Sequence, residues 1–139
     1  GTFNNCSNLI EAPTIPNNVL DMRETFANCT SLETIANIPN KVEALEKTFQ
    51  NCSNLKAVPT IPESVTNMSR TFLGCSNLNG EIIINANITG AMITETENDY
   101  YNLFLNAVTN ENCKIKLLGT CSILEDIINY WNKLNPNIT

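Results

Sequence analysis

The 139-residue chain contains no histidine, few cations (8 Lys and Arg against 14 Asp and Glu) and only 16% charged residues. Each shortage removes a class of function. Without His the commonest general base and the usual nucleophile dyads are missing, and a mixed Cys/His zinc site is ruled out. A net charge of −6 with no basic cluster argues against nucleic acid as a partner. No apolar run approaches the ~18 residues that cross a membrane, so this segment is not expected to insert into one. Phosphate-binding loops, dinucleotide fingerprints and nucleophile elbows are also absent. The chain is therefore read as having no catalytic residue, no cofactor and no metal ligand.

What the chain has instead is repetition. Phe3, Phe26, Phe49 and Phe72 are each 23 residues apart, as are Cys6, Cys29, Cys52 and Cys75, and Leu9, Leu32, Leu55 and Leu78. A fixed period of roughly 20 to 50 residues marks stacked units that share one core. The columns between continue the pattern: Ala12, Ile35 and Val58; Ile15, Ile38 and Ile61, each followed by Pro16, Pro39 or Pro62; Val19, Val42 and Val65; Met22, Leu45 and Met68; Thr25, Thr48 and Thr71. Every repeated slot is apolar, small or turn-forming, which suits a coil wound round a core and not a reactive site.

Within one unit, β-branched residues running up to a Pro predict a short strand near 9–15, 32–38 and 55–61. The second half, as in VTNMSRTF from Val65, has apolar residues at steps of three and four. That spacing predicts a short α- or 3₁₀-helical return, with Pro62 in the first turn. Stacked coils would form a parallel sheet with ~4.8 Å between strands, curved with the strands inside. The fold class expected is α/β, a leucine-rich-repeat-like solenoid.

The string L-x-x-[AIV]-x-x-I-P-x-x-V-x-x-[ML]-x-x-T-F-x-x-C-x-x resembles the 23-residue repeats of BspA-like bacterial cell-surface leucine-rich repeats, with their F-x-x-C and I-P-x-x-V signatures. Thr stands where that family usually has Ala before Phe. The resemblance covers residues 3 to about 91. It implies a surface-exposed or secreted bacterial protein engaged in adhesion to host or matrix proteins or to other cells.

One domain over 1–139 is expected, with regular repeats over 3–91, an acidic, irregular connection over 89–102, and a degenerate repeat and helical cap over 103–139. Phe104 and Cys113 echo the earlier Phe/Cys pair at a wider spacing, and a strand is expected from Lys114. Ser122 with Glu125 three residues later reads as a capping box opening a helix that places Ile123, Leu124, Ile127, Ile128, Trp131 and Leu134 on one face. Such a helix would cover the open end of a solenoid. Because Phe3 falls late in a unit, the chain reads as a piece of a longer array.

Four cysteines in one column lack the close pairs of a zinc site, and their side-chain vectors would run parallel, so they are read as buried reduced thiols. Cys113 and Cys121 lie outside the column, and a disulfide between them is the alternative to two free thiols. Asn5, Asn28, Asn51, Asn67, Asn87 and Asn137 each open a formal glycosylation string. In the repeat, the Asn with Ser7, Thr30, Ser53 and Ser76 are read as bonding the backbone of the turn between coils. Glu95, Glu97 and Asp99 read as a solvated loop, the alternative being a weak calcium site. Tyr100, Tyr101, Phe104 and Trp131 read as cap core, the alternative being a sugar-stacking platform.

Binding is what remains. Strand residues outside the core face a partner in such folds, here Glu11, Thr14, Glu33, Asn37, Lys56 and Thr60. With ~5 Å per coil and ~20 Å of strand width, the face offers roughly 500 Å², short of the ~800 Å² per partner of a standard interface. A monomeric module that binds proteins weakly is expected, the alternative being a spacer that presents another domain.

Overall fold

The computed structural model describes residues 1–88, 103, 104, 106, 107, 113–118 and 125. Successive 23-residue coils stack so that the repeated apolar columns run on from coil to coil among the described residues. Phe26, Cys29, Leu32, Val42, Leu45, Phe49, Cys52, Leu55, Ile61, Val65, Met68, Phe72, Cys75 and Leu78 are all fully buried in one cluster. The phenylalanines form a parallel ladder. Phe3, Phe26, Phe49, Phe72 and Phe104 lie with ring centroids 5.4, 5.9, 5.9 and 5.6 Å apart and planes within 9° of parallel.

The strands expected at 9–15, 32–38 and 55–61 shrink to single bridges, Glu11 with Thr34 and Ile61 with Ile84. Proline is the reason. Pro13 and Pro59 interrupt the first and third segments, and Pro16, Pro39 and Pro62 end all three, so at those positions the N–H groups that would continue the ladder do not exist; Ala36 leaves the second segment uninterrupted, but its neighbours on both sides are broken. The remaining bonds are isolated: the Glu33 N–H donates to the Ile10 carbonyl at 2.8 Å, Lys56 to Glu33 at 3.1 Å, and Asn79 to Lys56 at 2.9 Å. In the fourth coil Ile82 and Asn85 replace the prolines, and a continuous strand forms, β1 (Gly80–Ile84). The Asn85 N–H, which no proline could supply, donates to the Ile61 carbonyl at 2.9 Å.

The helical return is also corrected, because the described repeats form chained three-residue turns there. Thr25, Ala27 and Cys29 donate back three residues to Met22, Glu24 and Phe26, while Met22, Glu24, Phe26 and Asn28 donate across to Ala44, Glu46, Thr48 and Gln50 of the next coil. An α-helix would spend all these N–H groups on itself; alternating them stitches coil to coil. Two left-handed residues per coil make the alternation, at Glu24, Lys47 and Arg70 (φ 53 to 54°) and at Asn5, Asn28 and Asn51 (φ 59 to 63°). Three-residue turns place apolar side chains at helix-like steps, so the spacing alone misleads.

The second of these columns continues as Gly74 (φ 76°) and Asn106 (φ 58°), the residue types that best tolerate this region. Asn51→Ala should therefore cost roughly 1–2 kcal/mol of unfolding free energy, while Asn51→Gly should avoid most of that cost. Urea unfolding of the two variants checks this.

The fifth coil keeps the register that the sequence blurs. Phe104 stacks on Phe72, and the Phe72 N–H donates to the Leu103 carbonyl at 3.1 Å. Asn106 takes the left-handed slot, and Ala107, whose N–H donates to Phe104 at 2.9 Å, occupies the cysteine position. Cys113 is therefore not the echo of the Phe/Cys pair; it opens β2 (Cys113–Leu117), parallel to β1 with Gly80 opposite Cys113. The expected capping helix lies outside the described residues, save Glu125, whose backbone is helical. No helix among the described residues is long and apolar enough to cross a membrane.

Candidate functional site

The six predicted face residues fall in three neighbouring columns on the proline-interrupted side of the coils. Glu11 is exposed and bridges to Thr34. Glu33 and Lys56 share the next column with Ile10, and the Lys56 Nζ donates to Glu33 Oε2 at 2.6 Å. With 59% of the lysine and 44% of the glutamate side chain exposed, this pair contributes about 0–1 kcal/mol to stability. Its significance is the charge it displays.

Thr14, Asn37 and Thr60 occupy the third column. Both threonines are exposed, but the Asn37 amide is engaged: the Ile15 N–H donates to its Oδ1 at 3.1 Å and its Nδ2 donates to the Ile15 carbonyl at 3.0 Å. Asn37 thus replaces the backbone ladder that the prolines remove. Thr34, Ala36 and Ala57 lie exposed among these columns. The result is a shallow strip of small and polar groups with one ion pair on it.

A second charged region, on the flank where the three-residue turns run, was not anticipated. The Arg23 guanidinium donates to both oxygens of Asp21, Nε at 3.1 and 2.9 Å and the terminal nitrogen at 2.6 Å, and these bonds hold the Asp21 carboxyl below its usual range. Lys47 sits 3.5 Å from Glu24 and 3.6 Å from Glu46. Asp21, Arg23, Glu24, Glu46 and Gly1 border a cleft of about 550 Å³. The signal was present in DMRE from Asp21 and EK at Glu46, on the same side of successive coils; the helical reading dispersed them around an axis.

Of the four column cysteines expected to be buried, Cys6 is exposed, since it lies in the first coil and donates to no earlier one, and the other three thiols are locked beneath both regions. Cys29, Cys52 and Cys75 donate from Sγ to the carbonyls of Phe3, Phe26 and Phe49 at 3.0, 3.0 and 2.9 Å. Each Phe carbonyl also accepts the N–H of the cysteine three residues on, filling both of its lone pairs. Burial pushes the Cys52 thiol up to about 12 and Cys75 well above the usual value. Residues 1–98, carrying this Phe/Cys ladder, match the description "BspA type Leucine rich repeat region (6 copies)". The chain belongs to the BspA-type leucine-rich repeat family. No curated protein and no solved structure matches it.

Membership of the BspA-type family gives the threonine column its meaning. Thr48 donates its hydroxyl to the Met22 carbonyl at 2.8 Å and Thr71 to Leu45 at 2.9 Å, the same one-coil-back geometry as the thiols. In this BspA-type chain Thr, in place of Ala, adds a second buried inter-coil tie. The repeat asparagines bond sideways more than to turns: Asn51 Nδ2 donates to Asn28 Oδ1 at 2.9 Å and Asn28 Nδ2 to Asn4 Oδ1 at 3.4 Å. Among the described residues no group of three or more His, Cys, Asp or Glu side chains is placed to hold a metal. Glu95, Glu97, Asp99, Tyr100, Tyr101, Cys121 and Trp131 lie outside the described residues, and with them the calcium, sugar-stacking and Cys113–Cys121 alternatives.

Proposed function

We propose that the chain is a non-catalytic protein-binding module of a bacterial surface or secreted protein, acting in adhesion to host or matrix proteins or to other cell-surface proteins. The observation that carries this reading is the strip bearing Glu11, Thr14, Glu33, Lys56 and Thr60, an exposed surface fixed on a core whose coils are tied by backbone, thiol and hydroxyl bonds. Leucine-rich repeats of this family support binding and a bacterial surface setting. A strip of this size gives weak affinity per copy, and effective adhesion comes from several copies or arrays acting together.

The test is binding of the chain, immobilised at high density, to a panel of matrix proteins. Glu33→Lys and Lys56→Glu should each weaken capture by the bound partner, roughly fivefold or about 1 kcal/mol for one rim charge. If binding survives both reversals but is lost with Arg23→Glu, the site lies on the flank. Absence of any partner would favour a spacer.

A further inference from the structure

Of the chain's many asparagines only Asn79 is followed by glycine. We propose that the Asn79–Gly80 bond is a self-modification site, converting Asn79 to aspartate and isoaspartate through a succinimide, on the same column as Glu33 and Lys56.

The chemistry needs the backbone nitrogen of the following residue to reach the side-chain amide carbon. Three features of the structure favour this at Asn79. Both residues are exposed, so water and hydroxide have access. A Cβ built on Gly80 would have no atom within 4 Å, and its φ is 80°; neither a side chain nor a neighbour obstructs the approach. The Gly80 N–H already donates to Asn79 Oδ1 at 2.8 Å, which brings the nucleophilic nitrogen beside the amide it attacks.

The repeat asparagines supply the contrast within the same molecule. The residue after Asn28 is Cys29 and after Asn51 is Cys52, and these N–H groups donate to Phe26 and Phe49 at 3.1 and 3.0 Å. The Asn28 and Asn51 side chains are themselves tied across coils. Their nitrogens and amides are held apart by the bonds that build the fold.

The step balances without any redox partner. The Gly80 nitrogen gives its proton to hydroxide or water and attacks Asn79 Cγ. A new C–N bond closes the ring, the Cγ–Nδ2 bond breaks, and ammonia leaves carrying a proton from water. Water then adds to either ring carbonyl, giving aspartate by one opening and isoaspartate by the other. The product carries one negative charge more than the starting chain. It places that carboxylate one coil from Lys56, whose backbone carbonyl accepts the Asn79 N–H at 2.9 Å. Lys56 then lies between Glu33 and a second acid, so the charge displayed by this column changes sign balance with age.

The experiment is incubation of the purified chain at neutral and at mildly alkaline pH, in native buffer and in urea. It is read by peptide mapping in a mass spectrometer and by labelling with an isoaspartyl methyltransferase, with Asn79→Gln as the non-cyclising control. Asn79 should convert about tenfold faster than Asn28 or Asn51 in the folded chain, a barrier lower by ~1.4 kcal/mol. The rate should rise with pH, and Asn79→Gln should remove the isoaspartyl label from the peptide that carries position 79. The proposal is overturned if Asn79 stays intact in the folded chain while converting in urea, or if it converts no faster than Asn28 and Asn51.

Discussion

Phe49→Ala is expected to lower the unfolding free energy by ~3–5 kcal/mol, the cost of emptying a fully buried aromatic site. Phe49 has no exposed surface and stands between Phe26 and Phe72, each 5.9 Å away. Removing it leaves a cavity that adjacent coils cannot collapse into without breaking their backbone bonds, so the cost belongs near the top of that range. Two controls divide the effect. Phe3→Ala, at a half-buried ring with one stacking neighbour, should cost clearly less. Phe49→Leu retains burial but loses two stacks, each worth ~0.5–1.5 kcal/mol, and should fall between. Denaturant midpoints of the three variants at constant slope are the measurement. A Phe49→Ala chain with an unchanged midpoint would remove the ladder from the account of stability. Because each coil contacts only its neighbours, the central ring should also matter more for cooperativity than the terminal one.

The period, the phenylalanine column and the burial of Cys29, Cys52 and Cys75 were legible because a repeat writes each core position several times over, although Cys6 of the same column is exposed. Secondary structure was less so, for reasons that can be named. Three-residue turns and 3₁₀ or α turns place Met22, Thr25, Phe26 and Cys29 at the same spacing, and only the backbone angle of Glu24 and Asn28 separates them. Asn28 carried a readable signal, since Gly74 takes the place of Asn in that column; Glu24, Lys47 and Arg70 carried none, as nothing in a charged side chain announces a left-handed backbone. Proline was read as the end of a strand, whereas Pro13 and Pro59 also divide it, and the strand returned only where Ile82 and Asn85 took their place. The pairing of Glu33 with Lys56, the Asn37 clip on Ile15 and the charged flank depend on which coil lies beside which. Local pattern does not contain that information.

Raising the pH should unfold this protein earlier than its tyrosines and lysines alone would require. The buried thiols hold their protons in the fold, Cys52 to about 12 and Cys75 well above the usual thiol value, whereas an unfolded thiol releases its proton near the ordinary value of 9.0. Above that value the unfolded chain binds fewer protons than the native one, so stability falls as pH rises. It is fully present below about pH 9 and lost on the way to pH 12. Each such thiol contributes a slope of up to ~1.4 kcal/mol per pH unit, so Cys52 alone removes a few kcal/mol across the window and Cys75 acts in the same direction. Tyrosine and lysine titrate there too, and the comparison that isolates the thiols is Cys52→Ser. Serine keeps a hydroxyl donor for the Phe26 carbonyl, which Cys52 now reaches at 3.0 Å, and it does not ionise. At neutral pH the variant should lose only about 1 kcal/mol through its smaller, more polar side chain. Its alkaline slope should be shallower than that of the parent by the share of one thiol, and parallel pH–stability curves for the two chains would contradict the locked-thiol account. The same argument explains why Cys29, Cys52 and Cys75 can stand in one column unpaired. A thiol that is un-ionised, fully enclosed and already donating to a neighbouring coil's carbonyl offers an oxidant no thiolate to attack.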